Sequence, residues 1–222
     1  MRAAIIDIDG TLLDSMPLWM NLGQRYLESV GRTPDENLGT ALFSMTIPEG
    51  IRYMKKTYDL TESEEDIRAG INDIIDHFYK MEVELKPGVR PFLEKMKEHD
   101  VPMVLATTND RALATAALTR HGVLPYFKKM YVCEEMDTTK REPKVYLAAA
   151  SELGCRPEEI VVFEDILRAV KTAHGAHFYT AAMADPVSAD DTEELKATAD
   201  WYFQDFDEAR EYFFGKPSPS MP

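Results

Sequence analysis

Two aspartates set two residues apart, Asp7 and Asp9, close the apolar run Ala3-Ala4-Ile5-Ile6 and are followed at once by Gly10. Along a strand, side chains i and i+2 project to the same side, so both carboxylates can face one pocket. Gly10 tolerates the backbone angles of a steep turn that other residues resist. Further polar groups follow other apolar runs: Thr107 after Val101–Ala106, and the pair Glu164-Asp165 after Ile160–Phe163. Four carboxylates gathered at one edge repel, by about 1 to 4 kcal/mol per pair at 4 Å depending on the local dielectric. A hard divalent cation resolves this, and Mg²⁺ favours carboxylate oxygens while keeping waters that a phosphate can replace. Lys140, in the loop ahead of Pro143, adds a fixed positive charge beside a nucleophile. Thr107 offers a hydroxyl and nearby backbone amides to phosphate oxygens, with Thr108 and Asn109 as its neighbours. Those residue types point to phosphate chemistry.

Such a constellation needs a sheet to bring it together. From Val89 onward the chain alternates helix and strand: a helix over Val89–Glu98, a strand over Val101–Ala106, and a helix over Arg111–His121. A strand over Lys129–Cys133, a helix from Pro143 to near Gly154, and a strand over Ile160–Phe163 follow. Ala176–Ala182 and Trp201–Phe203 are weaker strand candidates around a helix over 190–198. Alternation of this kind implies right-handed crossovers and a parallel, doubly wound Rossmann-like sheet, whose ligands bind beyond the carboxyl ends of the strands. Between the first strand and Lys86-Pro87-Gly88 the periodicity is helical throughout. Leu18, Leu22, Tyr26 and Val30 recur four apart behind Pro17, and capping boxes stand at Thr33–Glu36, Thr46–Glu49 and Thr61–Glu64. The last opens a helix with Ile67, Ile71, Ile74, Ile75 and Phe78 on one stripe. The expected organisation is an α/β core over 1–13 and 86–222, with an inserted all-helical subdomain over 14–85. Its hinges would lie near Asp14-Ser15 and Glu84–Gly88.

The 222 residues are 45% hydrophobic and 29% charged, as in a packed globule, and their net charge of −14 opposes a nucleic-acid or anionic-membrane surface. Cys133 and Cys155 form no ligand spacing or disulfide framework, and the five histidines show no metal-ligand pairing. The apolar run at the start stops at Asp7, and no stretch approaches a membrane span. The expected home is the cytoplasm, and the expected state a monomer or weak dimer.

The residues Asp7–Thr11 (D-x-D-G-T), Thr107, Lys140 and Glu164-Asp165, in that order and behind those elements, resemble the haloacid dehalogenase-like hydrolases, in the branch with a helical cap after the first motif. The resemblance implies phosphoryl transfer through an aspartyl-phosphate on Asp7, with Asp9 as general acid and base. It implies Mg²⁺ held by the Asp7 side chain, the Asp9 main-chain carbonyl and Asp165, with Glu164 in support. Lys140 would orient Asp7 and neutralise charge, and Thr107 or Thr108 would contact phosphate. Lys140-Arg141-Glu142-Pro143 and Ile166 and Ala169 after the acidic pair depart from the usual wording of these motifs.

Asp9 argues for phosphate chemistry, because the dehalogenases of the family lack a second aspartate. Sugar-phosphate mutases with this cap carry a histidine early in the first cap helix and an arginine near the second, where this chain offers Trp19 and Met45-Thr46-Ile47. The expectation is therefore an Mg²⁺-dependent phosphatase of a small phosphorylated metabolite, such as a sugar phosphate, with Trp19 and Met45 on the substrate-facing side of the cap. The alternatives are a beta-phosphoglucomutase-type mutase and a non-catalytic phospho-aspartate signalling or scaffold protein.

Overall fold

The computed structural model describes residues 1–43 and 45–215. The chain divides into two compact units, Met1–Asp14 with Glu84–Pro222, and Ser15–Val83. The first is an α/β unit built on a strand too apolar for any place but the middle. In β1 (Ala3–Ile6) none of the four residues has accessible surface. It lies between β2 (Met103–Thr107) and β4 (Ile160–Glu164), pairing Ile5 with Val104 on one side and Val162 on the other. With β3 (Phe127–Val132), β5 (Tyr179–Met183) and β6 (Trp201–Phe203) the described residues form a six-stranded sheet of order β3-β2-β1-β4-β5-β6, parallel throughout. The order reverses between β1 and β4, which is where the carboxyl ends of a doubly wound sheet open a crevice.

Both faces of the sheet are covered, as its continuous apolar strands require. On one face Ile5, Val104 and Val162 pack with Val145, Tyr146 and Ala149 of α7 (Lys144–Leu153). On the other, Phe163 meets Phe92 of α5 (Val89–Glu98) and Phe206 of α10 (Phe206–Phe214), with ring centroids 5.2 and 5.8 Å away. Full burial of such rings contributes about 1.5 to 3 kcal/mol each. Gly88, at φ +77°, starts α5, and a Cβ there would stand 2.2 Å from the Asp207 nitrogen, so the close approach of α10 requires glycine. α6 (Arg111–Arg120), α8 (Leu167–Gly175) and α9 (Thr192–Thr198) complete the crossovers.

The α/β elements follow the sequence pattern with shifted edges. The strand expected over Ala176–Ala182 begins at Tyr179, because α8 runs to Gly175 and its carbonyls take the next amides. Phe178 N–H, for example, donates to the Ala173 carbonyl at 3.2 Å. Likewise the helix expected from 190 begins at Thr192, behind a tight 3₁₀ stretch over Pro186–Asp191.

The second unit holds α1 (Met16–Ser29), α2 (Leu38–Phe43), α3 (Ile47–Thr57) and α4 (Glu64–His77), the last continuing as a π-helical turn over Phe78–Glu82. The box at Thr46–Glu49 forms: the Glu49 carboxylate accepts the Thr46 N–H and hydroxyl at 2.8 and 2.7 Å. The box expected at Thr61–Glu64 is replaced by Ser63 and Asp66. Starting at Glu64 puts Glu64, Glu65 and Asp66 in the first turn, against the positive end of the helix dipole, and turns Ile67, Ile71 and Ile75 inward. No described helix begins at Thr33–Glu36. Asp35 is engaged instead by Tyr58, whose hydroxyl donates to Oδ2 at 2.9 Å and accepts the Asp35 N–H at 3.0 Å.

Candidate active site

The ends of β1, β2 and β4 bring polar groups together. Asp7 follows β1, Thr107 closes β2, and Glu164 closes β4 with Asp165 beside it; all four are buried. Oxygens of Asp7, Glu164 and Asp165 lie within 4.8 Å of one another. Parallel registry explains the convergence: Ile6 pairs with Leu105 and with Phe163, so the three strands stop at one level. After Asp7 the chain leaves the sheet through Gly10 at φ +80°, a conformation that favours glycine.

Lys140 reaches this cluster from the loop before α7. Its ammonium donates to Asp7 Oδ1 and, at 2.5 Å, to Glu164 Oε1. Burial works against its charge, but Asp7 and Glu164 outweigh burial and hold the ammonium above its ordinary range. The neighbouring cations are elsewhere. Lys129 pairs with Glu152, Lys144 donates to the Met136 carbonyl, and Lys128 and Arg141 are exposed. Burial pushes the Glu164 carboxyl up to about 7, with Lys140 opposing the rise and Asp7 adding to it. Burial, then Asp7 and Glu164, push Asp165 well above the usual carboxylate range.

Those upward shifts mark acids short of positive charge. Thr11 Oγ1 donates to Asp165 Oδ1 at 3.2 Å, while Asp165 Oδ2 is buried and has no hydrogen-bond partner. An orphaned carboxylate oxygen is costly in a protein interior. Three hard oxygen donors and that orphan fit a small divalent cation such as Mg²⁺.

Asp9 is half-buried, and Asn109 Nδ2 donates to its Oδ2 at 2.8 Å. Thr107 Oγ1 accepts the Asn109 N–H at 2.9 Å, so the end of β2 folds the asparagine toward Asp9. Thr108 is exposed. Asn109 stands out in sequence only as one rival for the phosphate contact; a bond spanning a hundred residues leaves no local trace. Tyr146 is a second group that sequence reading passes over. Its hydroxyl donates to Glu164 Oε1 at 2.8 Å, and burial followed by the Glu164 charge raises its own pKa well above the ordinary value. In sequence it is indistinguishable from a core aromatic six residues after Lys140. Lys86 is a third: it reads as part of a turn, yet its ammonium contacts the Gly10 carbonyl.

Trp19 and Met45 belong to the helical unit. They line one cavity of about 200 Å³ there, with Leu42, Ile47, Met54 and Ile71 among the other walls, and none of its lining residues is charged. Trp19 Nε1 also donates to the Tyr79 hydroxyl at 3.3 Å.

A sequence profile of the haloacid dehalogenase-like hydrolases matches residues 4–183, and the chain belongs to that family. It is 29% identical over 176 residues to a phosphorylated carbohydrates phosphatase of Thermotoga maritima, covering 79% of this chain and 82% of that protein. It is 28% identical over 194 residues to hexitol phosphatase A of Escherichia coli, covering 83% and 84% of the two chains. A solved Thermotoga maritima structure, provisionally named a beta-phosphoglucomutase, matches with a TM-score of 0.83 at 27% identity, covering 91% of this chain and 94% of the other. Within the family, the chain is a phosphoric monoester hydrolase.

Proposed function

We propose that the protein hydrolyses a small phosphomonoester, a sugar or polyol phosphate, through a covalent aspartyl-phosphate on Asp7. The observation that carries the reading is the buried cluster of Asp7, Glu164 and Asp165 clamped by Lys140, with Asp165 Oδ2 partnerless. In the first step an Asp7 oxygen forms a bond to phosphorus while the ester oxygen leaves, and Asp9 gives that oxygen its proton. In the second, Asp9 takes a proton from a water that attacks the same phosphorus, returning Asp7 as a carboxylate and releasing inorganic phosphate. Asn109, bonded to Asp9 Oδ2, orients the Asp9 carboxylate for that exchange of protons.

Lys140 holds Asp7 in one orientation and offsets charge on the transferring phosphoryl group, the electrostatic help on which phosphoryl transfer depends. Thr107 ends β2 and Thr108 follows it, where phosphate oxygens would be received. Mg²⁺ would be held by Asp7, Asp165 and the Asp9 main-chain carbonyl with Glu164 in support, and would supply Lewis-acid neutralisation of the phosphate. Trp19 and Met45-Thr46-Ile47, in the neighbourhoods where sugar-phosphate mutases with this cap carry a histidine and an arginine, support hydrolysis over mutase chemistry, which needs cations for a second phosphate. The named substrates of the two curated relatives above, phosphorylated carbohydrates and hexitol phosphates, support the substrate class.

The test is steady-state phosphate release from p-nitrophenyl phosphate and a panel of sugar, polyol and nucleoside monophosphates, with Mg²⁺ and with EDTA. Release that depends on Mg²⁺ and ranks sugar or polyol phosphates first is the expected result. Release indifferent to EDTA overturns the metal assignment, and hexose-phosphate isomerisation without release overturns hydrolysis.

A further inference from the structure

The loop carrying Asp9 closes on itself: Leu12 and Leu13 N–H both donate to the Ile8 carbonyl, at 2.9 and 2.8 Å, and Gly10 N–H donates to the Leu13 carbonyl at 3.0 Å. None of these bonds uses the Gly10 carbonyl, which lies one residue beyond Asp9. Lys86 Nζ donates to it at 2.7 Å. The same ammonium donates to the Ala184 carbonyl and to Asp185 Oδ2, each at 2.8 Å. An ammonium has three protons, and all three are directed to acceptors. The Asp185 side chain has no accessible surface and that of Lys86 is 13% exposed, so this is a buried ion pair. Such pairs add little net stability over an apolar contact of the same shape. They do fix geometry.

The geometry fixed here is that of the catalytic loop. Lys86 N–H donates to the Leu12 carbonyl at 2.9 Å, so one residue grips the loop by its main chain at Leu12 and by its side chain at Gly10. Because a peptide is planar, pinning the Gly10 carbonyl also sets the direction of the Thr11 N–H. Thr11 in turn bonds Asp165, and Asn109 bonds Asp9. We infer that Lys86 is a positioning residue that holds the Asp9 loop in register with the rest of the site, the Gly10 carbonyl being its handle. The inference rests on Asp9 being the acid and base proposed above. Asp185 is the buried counter-ion of Lys86; it does not itself touch the loop carbonyl.

The experiment compares Lys86→Met and Asp185→Asn in the full-length protein with Mg²⁺, reading kcat and KM, the urea midpoint, and amide hydrogen exchange over Ile8–Leu13. Lys86→Met is expected to lower kcat about 10- to 100-fold, the usual cost of losing an orienting partner, with KM changed less than about threefold. Its loop amides exchange faster. Asp185→Asn leaves both carbonyl bonds of Lys86 in place, and keeps kcat within about threefold despite a comparable fall in urea midpoint. Equal kcat losses in the two variants, or an unchanged kcat in Lys86→Met, overturn the inference. If Lys86→Met fails to fold, Lys86→Arg replaces it. That variant keeps the charge, but its planar fork cannot converge on three acceptors, so wild-type kcat in it overturns the inference too. A wild-type protein that hydrolyses no ester overturns the proposed function instead. Loop exchange then decides the role of Lys86: unchanged exchange in Lys86→Met overturns it, and faster exchange upholds it.

Discussion

The α/β unit and the helical unit treat charge in opposite ways. Asp7, Glu164, Asp165 and Asp185 are buried, and all four belong to the α/β unit; among the described residues of the helical unit no charged side chain is buried. The ion pairs of the helical unit, such as Lys80–Asp76 and Arg25–Glu82, lie at the surface, each side chain more than a third exposed. Its interior space is instead the uncharged cavity of about 200 Å³ beside Leu42 and Met54. Burying a charge is expensive unless it is paired, so concentrating charge at one sheet edge marks where field strength is needed. An apolar hollow offers only shape. The difference separates a unit built for reaction from one whose side chains can vary without disturbing it.

The largest effect should come from Asp7→Asn, which removes the proposed nucleophile and leaves the volume nearly unchanged. Phosphate release is expected to fall about 10⁴-fold or more, with the circular dichroism spectrum unaltered. Activity within tenfold of wild type would move the chemistry off the cluster and break the contrast at its strongest point.

Next comes stability. Lys140→Met leaves Asp7 and Glu164 facing each other unanswered, at an expected cost of about 3 to 5 kcal/mol in EDTA, read as a lower urea midpoint. Lys80→Met, which breaks an exposed pair in the helical unit, should cost about 0.5 kcal/mol or less. Similar losses at the two positions would show that burial does not distinguish the regions.

A smaller effect of opposite sign is expected in the helical unit. Gly50 lies in α3, and a Cβ there would meet nothing nearer than Leu42 Cδ2 at 3.4 Å. Gly50→Ala should stabilise by about 0.5 to 1 kcal/mol through lower helix-forming cost, raising the melting temperature by about 1 to 4 °C. A fall in melting temperature would mean the hollow has no room for a methyl group.

The smallest effect is a pH dependence far from the site. The Arg156 N–H, followed by the Arg2 side chain, holds the Glu159 carboxyl down at about 2. Its folded pKa lies below the unfolded value of about 4.3, so its stabilising share is complete above that pH and is lost as pH falls toward 2. The gap in urea midpoint between wild type and Glu159→Gln should therefore narrow from pH 7 to pH 3. A gap that widens would reverse the sign.

Much of this architecture is written locally. The run Ala3-Ala4-Ile5-Ile6 stopped by Asp7 reads as a buried strand presenting an acid, and Ile160–Phe163 before Glu164-Asp165 repeats the signal, because strand periodicity and burial act over a few residues. The helix over Val89–Glu98 falls where expected for the same reason. Helix starts were less legible. Thr33 and Thr61 carry the right letters, yet Tyr58 claims Asp35, and Ser63 with Asp66 begins α4. Side chains competing for one hydrogen bond are settled by whichever partner the fold brings near.

By itself the sequence determined that an acidic pair, a threonine, a lysine and a second acidic pair stand at the ends of alternating elements, since each such statement involves neighbours in the chain. The tertiary structure decided which donor answers which acceptor: Lys140 for Asp7 and Glu164, Lys86 for Asp185 and the Gly10 carbonyl, Asn109 for Asp9. Among Lys128, Lys129, Lys140, Arg141 and Lys144, the place of Lys140 just ahead of the Pro143 helix start favours it in sequence, but which carboxylates it meets is not written there. A buried charge selects its partner by distance in space, and only the closing of the parallel sheet sets that distance.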